Sequence, residues 1–254
     1  MSRFPLILLP PSEGKAAGGG RRARDGVFGP LLGESRATLI SALAELNRDR
    51  HALERVTRVS GVRLERARDA LEQVVNGHAP LLATWRRYTG VVWTHLDPSS
   101  LAPTQRRRLM VPSALYGITA GEDLIADYRL TFHASVADCG QLASFWREPV
   151  TDALIRVAGR STVIDLLPAE HRRALDLDRL AGATRVISVR FQSSDGARAI
   201  GHAAKAVKGL LARRLLDEGV AALSTFVWGP WRATMLDDRT ATVTASDDVS
   251  VPSL

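Results

Sequence analysis

Three observations predict a mixed α/β fold built as a single domain over residues 1–254. Short apolar runs at Leu6–Leu9, Thr162–Leu167 and Arg185–Gln192 are bounded by turn residues, the mark of buried strands. Between and beyond them, Gly140–Val157 and Ala203–Asp217 carry apolar residues at helical spacing. No internal repeat and no long flexible linker divides the chain. Buried strands alternating with helices make a sheet covered by helices around one core.

Taken in order, the first strand ends at Pro10-Pro11, which cannot donate to a central ladder. The following stretch holds Gly14, Gly18–Gly20 and the cluster Arg21, Arg22 and Arg24. Too rich in glycine and charge to pack, it is predicted as a mobile surface loop. A helical subregion spans about residues 34–76. There Leu39, Leu43, Leu46 and Leu53 recur at helical intervals with a break near Asn47, and a further helix, Leu64–Val75, stops at Asn76-Gly77. The intervening Val59-Ser60-Gly61-Val62 resembles a helix-hairpin-helix element, in which turn amides and a helix N-terminus face a phosphate. The usual second glycine is replaced by Arg63, and an ordinary turn between amphipathic helices is the alternative. A helix is predicted at Pro80–Tyr88, with strands at Gly90–Trp93 and Leu109–Pro112 around a polar helix-loop, Ser99–Arg108. Phe145-Trp146 falls in helical pattern and is predicted as core. The segment Phe226–Thr244 reads as a hairpin turned at Trp228-Gly229-Pro230-Trp231, and Ser246–Leu254 should fray.

Composition narrows the class of function. Hydrophobic residues make up 45% and charged residues 24% of the chain, as in soluble domains. The apolar run Phe4–Leu9 is too short for a signal-peptide core, and no segment reaches the ~20 apolar residues that span a bilayer. A cytoplasmic protein is therefore expected, without membrane association. Cys139 is the single cysteine, which rules out an internal disulfide and a cysteine-based zinc cluster. A net charge of +7 favours anionic partners, either nucleic acid or a small phosphorylated or otherwise anionic ligand. Of the 34 basic residues only Lys15, Lys205 and Lys208 are lysines. Where arginine serves as the generic surface cation, a retained lysine points to a need for its compact ammonium, which can shed a proton when desolvated.

No Walker loop, dinucleotide-binding turn, serine elbow or paired metal-binding histidines occur, so neither a metal nor a resident cofactor is predicted. Ser12-Glu13-Gly14-Lys15 places a hydroxyl, a carboxylate and an amine directly after a strand. Such a set can hold a polar group or work as acid and base. Tyr116 and Tyr128-Arg129 combine aromatic faces with a permanent cation suited to an anion or a base. His202, Lys205, Lys208 and Gly209 occupy the first turns of a predicted helix, where free amides favour an anion. The spacing puts His202, Lys205 and Gly209 on one side of that helix.

In this order, Pro11-Ser12-Glu13-Gly14-Lys15, Tyr88-Thr89-Gly90, Ser113-Ala114-Leu115-Tyr116-Gly117, Tyr128-Arg129-Leu130, Phe145-Trp146 and Lys205-Ala206-Val207-Lys208-Gly209 resemble the YaaA peroxide-stress family over nearly the whole chain. The resemblance implies a compact α/β fold with a basic cleft, a helix-hairpin-helix-like element, and binding of double-stranded DNA without sequence preference to limit oxidative damage. It places Lys15, Tyr116, Arg129, Lys205 and Lys208 along the cleft, with Gly61, Arg63, Lys205 and Lys208 toward DNA. The sequence departs from the family pattern at Lys208, where arginine is usual, at Phe132-His133, and across Asp165–His171. These departures raise an alternative: an enzyme acting on a nucleobase, nucleotide or other small anion, with Lys15 or Lys205 as base or nucleophile and Glu13 as proton partner. That reading predicts one deep pocket where these groups converge.

Overall fold

A computed structural model describes residues 4–20, 26–193 and 201–245. The Arg21, Arg22 and Arg24 cluster and the tail Ser246–Leu254 lie outside the described residues. Strand β1 (Leu6–Leu8) is buried along its length, as an unbroken apolar run requires. Helices α1 (Gly29–Leu46), α2 (Arg50–Thr57) and α3 (Val62–Val75) form the helical subregion. α1 starts ahead of its predicted beginning because Pro30 supplies the preset φ of a first helical turn. α2 starts at Asp49, whose carboxylate accepts from the Ala52 amide at 3.0 Å.

Next come β2 (Leu82–Ala83), the single turn α4 (Thr84–Arg87), α5 (Val91–Leu96) and α6 (Pro103–Arg106). Two expectations fail in this region. Pro80–Tyr88 is not one helix, because its backbone pairs elsewhere: Leu81 bridges Gly20, and Leu82 and Ala83 pair with Ile125 and Leu124. Gly90–Trp93 opens a helix instead of forming a strand, since Val92, Trp93 and Leu96 are spaced to bury one helical face. A short apolar run does not distinguish buried strand from buried helix.

Strands β3 (Leu109–Ser113) and β4 (Gly117–Ala120) form a hairpin, followed by the short β5 (Leu124–Ile125), β6 (Ser135–Val136) and β7 (Gly140–Gln141). Then follow α7 (Leu142–Ala158), β8 (Val163–Asp165), the single turn α8 (Ala169–Arg172), α9 (Leu177–Ala183) and β9 (Val186–Gln192). The chain closes with α10 (His202–Glu218), α11 (Ala222–Thr225), β10 (Val227–Trp228), β11 (Trp231–Met235) and β12 (Thr240–Ala245). The predicted turn at Gly229-Pro230 joins β10 to β11, and β12 then returns between β11 and β9.

The main sheet has eight strands in the order β10-β11-β12-β9-β8-β1-β3-β4. β1 is parallel to both neighbours, with Leu8 opposite Met110 of β3 and Asp165 of β8. Because the chain places later strands on either side of β1, the carboxyl ends of β3, β1 and β8 open onto one edge at a point where strand order reverses. Open α/β sheets place ligands at such a point. Leu6 and Leu8 face the core packed by α1, α3, α7 and α9, while Ile7 and Leu9 face α5 and α10. Trp146 is fully buried and donates from Nε1 to the Ala114 carbonyl at 2.9 Å, so Phe145-Trp146 does serve the core. Among the described residues no helix is long and apolar enough to cross a membrane.

Candidate functional site

Beyond β1 the chain lies at the surface as predicted, with Glu13, Gly14 and residues 17–20 exposed, but its backbone is pinned to neighbouring segments. Lys15 forms an antiparallel bridge with Tyr88, the Thr89 amide donates to the Gly14 carbonyl at 3.0 Å, and the Ala16 amide donates to the Arg87 carbonyl at 2.8 Å. Gly14 permits this approach, since a Cβ there would lie 2.7 Å from Thr89 Oγ1. Arg87, only 1% exposed, donates to the carbonyls of Ala16, Gly18, Pro80 and Ile125. A cation buried on four carbonyls acts as a rivet, and it fixes the described half of the loop that charge and glycine content marked as mobile.

That anchoring fixes where Lys15 points. Its Nζ stands 4.5 Å from the centroid of the Tyr128 ring and 5.7 Å from that of Tyr88, and donates to the Ser12 carbonyl at 3.4 Å. Beneath it runs a hydroxyl chain. The Tyr88 and Tyr128 hydroxyls are 2.7 Å apart, Ser113 Oγ lies 2.8 Å from Tyr128, and the Tyr116 amide donates to Ser113 Oγ at 3.1 Å. The Tyr116 hydroxyl accepts from the Ala126 amide at 3.0 Å, and its carbonyl accepts from Arg36. Burial pushes Tyr128 up to about 12 and Tyr88 well above its ordinary value, so both phenols stay neutral. Burial also lowers Lys15 to about 8; Asp127 and Glu13 pull the other way, while Arg129 and Arg87 add to the fall. No ion pair holds the amine among the described residues. It is therefore a half-buried amine that loses its proton far more readily than a surface lysine.

On its far side, the Tyr128 segment meets the helical subregion. Thr57 of α2 and Ala67 and Leu71 of α3 line a cavity of about 10 Å³ together with Tyr128, Arg129 and Leu130. The turn joining these helices points outward. Gly61, at φ +56°, precedes α3, and Gly61, Val62 and Arg63 are exposed while Leu64, Ala67 and Leu71 are buried. Arg129 and Glu13 are exposed near Lys15, and Ser12 is half-buried with its hydroxyl against Gly90, where a Cβ would lie 2.9 Å away.

A second cluster sits at the end of the neighbouring strand. Asp165, fully buried at the end of β8, pairs with Arg172 at 2.7 Å and accepts from the Leu167 amide at 2.8 Å. Lys208 donates to the Leu166 carbonyl at 2.6 Å and lies 4.8 Å from the centroid of the Phe191 ring. Glu170 stands 3.3 Å from His171 and 3.9 Å from His133, and Phe132 meets the His171 ring edge-on at 5.9 Å. Burial drives His171 down to about 4, against the opposing pull of Glu170. The departures from the family pattern, scattered along the sequence, thus meet in one place at the end of β8, the strand next to β1.

Of the remaining predicted residues, His202 and Lys205 are exposed on the first turn of α10, but Gly209 faces inward. A Cβ at Gly209 would lie 2.2 Å from the Val92 carbonyl, so this glycine lets α10 cross α5 closely. Tyr88, Ser113 and Arg87 carry the site without having been singled out. Tyr88 and Ser113 lay inside the quoted motifs, whereas Arg87 gave no signal because its role depends on where four carbonyls converge. Among the described residues no group of three or more His, Cys, Asp or Glu could hold a metal ion.

The sequence profile of the family described as peroxide stress protein YaaA matches residues 6–228. The chain belongs to the YaaA family. Relatives carry the name UPF0246. One from Streptomyces coelicolor is 34% identical over 224 residues, covering 85% of this chain and 84% of the relative. One from Corynebacterium efficiens is 32% identical over 219 residues, covering 83% and 84%. A third, from a Ruegeria strain, is 31% identical over 144 residues, covering 52% and 57%. Every motif that fixes Lys15 and its tyrosines falls within the span shared with the YaaA family.

Proposed function

We propose that this YaaA-family protein acts in the peroxide-stress response by binding double-stranded DNA without sequence preference, so as to limit oxidative damage to it. The observation that carries this reading is the contact between the two halves of the site. The α2–α3 pair, with its exposed Gly61–Arg63 turn, packs on the Tyr128–Leu130 segment, and that segment's other side supports Lys15. A phosphate held at the turn, where the Val62 and Arg63 amides lack partners among the described residues, would bring the neighbouring nucleotide toward Arg129 and Lys15. The net charge of +7 suits such a partner. The enzyme reading, with a small free anion as substrate, is less well supported. It calls for a pocket where Lys15, Glu13 and Lys205 converge, whereas the cavity beside Tyr128 and Arg129, of about 10 Å³, is lined by none of the three.

Fluorescence anisotropy with a mixed-sequence duplex tests the proposal. Binding should weaken linearly in log K against log salt, and Arg63→Ala should reduce the slope by roughly 0.9, the value for one lost phosphate contact. Absence of binding at low salt would sink the DNA reading.

A further inference from the structure

We infer that Lys15 is a nucleophile that captures the open-chain aldehyde of an abasic nucleotide in DNA as an imine. The inference rests on the DNA reading and deepens it by naming the lesion that the site recognises. Hydroxyl radicals derived from peroxide strip bases from DNA, and the sugar left behind carries an aldehyde in its open form.

The three lysines occupy distinct surroundings. Lys205 is exposed, and Lys208 gives a 2.6 Å hydrogen bond to the Leu166 carbonyl. Lys15 is half-buried, with its Nζ among two tyrosine rings and the Ser12 carbonyl on a backbone bridged to Tyr88. An imine needs a neutral amine in a fixed position with restricted access to water. Burial supplies the first requirement, as the fall of Lys15 to about 8 reflects. The bridge to Tyr88 and the Arg87 rivet supply the second. Arginine, which fills 31 of the 34 basic positions, cannot form an imine, so this position cannot follow the chain's prevailing cation.

In the proposed step the Nζ lone pair bonds to C1′ of the opened sugar. Both amine protons pass to the former carbonyl oxygen, which leaves as water, and an N=C bond remains. Glu13 and Asp127 are the acidic groups that act electrostatically on Lys15, and in the proposed step they would serve as its proton relay. No electrons are gained or lost.

The full chain would be incubated with a duplex carrying one abasic site in the presence of sodium cyanoborohydride, which reduces an imine to a stable amine. A covalent protein–DNA adduct is expected, located on Lys15 by peptide mass spectrometry. It should be absent with intact duplex and with a duplex whose tetrahydrofuran site lacks the aldehyde. Lys15→Arg should lose the adduct. Should that variant fail to fold, the mapping on the unaltered chain decides. An adduct at Lys205, Lys208 or the N-terminal amine would overturn the inference, as would no adduct from protein that binds intact duplex. Failure of the DNA reading shows separately, as no anisotropy change with intact duplex.

Discussion

Lys15 shows how a residue's surroundings set its chemistry. Its folded pKa of about 8 lies below the ordinary lysine value of 10.5. Between these values the unfolded chain holds a proton that the folded chain has released, so stability must rise with pH across that window. Comparison with Lys15→Met isolates the effect: from pH 8 to 10.5 the unaltered protein should gain stability relative to the variant. The ceiling is about 3 kcal/mol, reduced by partial exposure, and denaturant titration at several pH values measures it. Cys139 gives a second prediction. Burial and the neighbouring Asp138 push its thiol up, and the reactive form toward peroxide is the thiolate. Cys139→Ser should therefore leave peroxide resistance intact in a complementation assay, whereas a role for thiol oxidation would make that variant sensitive.

At the scale of elements, the crossing of α10 over α5 is the tightest dependence on a single residue. Alanine in place of Gly209 adds helix propensity of about 1 kcal/mol. Its Cβ, however, would lie 2.2 Å from the Val92 carbonyl and 3.0 Å from the His95 side chain. Backbone cannot step aside cheaply, so the clash wins and Gly209→Ala should destabilise by about 1–3 kcal/mol, read as a lower melting temperature. The spacing that placed Gly209 with His202 and Lys205 as a ligand group described the helix correctly but carried no information about its partner. Likewise Gly90–Trp93 was legible as buried but not as the opening of a helix. Leu81–Ala83, by contrast, was taken from its predicted helix by pairing with Gly20 and β5.

Over the whole molecule, two layers of helices leave the carboxyl edge of β3, β1 and β8 as the place where loops from distant parts of the chain meet. The proposed binding of duplex DNA without sequence preference predicts the same affinity, within about 1.4 kcal/mol, for duplexes of unrelated sequence at equal salt. A strong preference for one sequence in competition anisotropy would contradict it.

The class of fold, the apolar strand runs Leu6–Leu9 and Thr162–Leu167, the long helices and the scarcity of lysine were all legible in the order of residues. These follow from hydrophobic periodicity and composition, which are local properties. Folding in three dimensions is what sets Lys15 over Tyr128 and Tyr88, makes Arg87 the rivet of the loop beneath it, and gathers Phe132, His133, Asp165–His171 and Lys208 at one strand end. Those contacts join residues tens of positions apart. Which groups meet there, and how far burial shifts a proton, depends on strand order and helix crossing rather than on any segment alone.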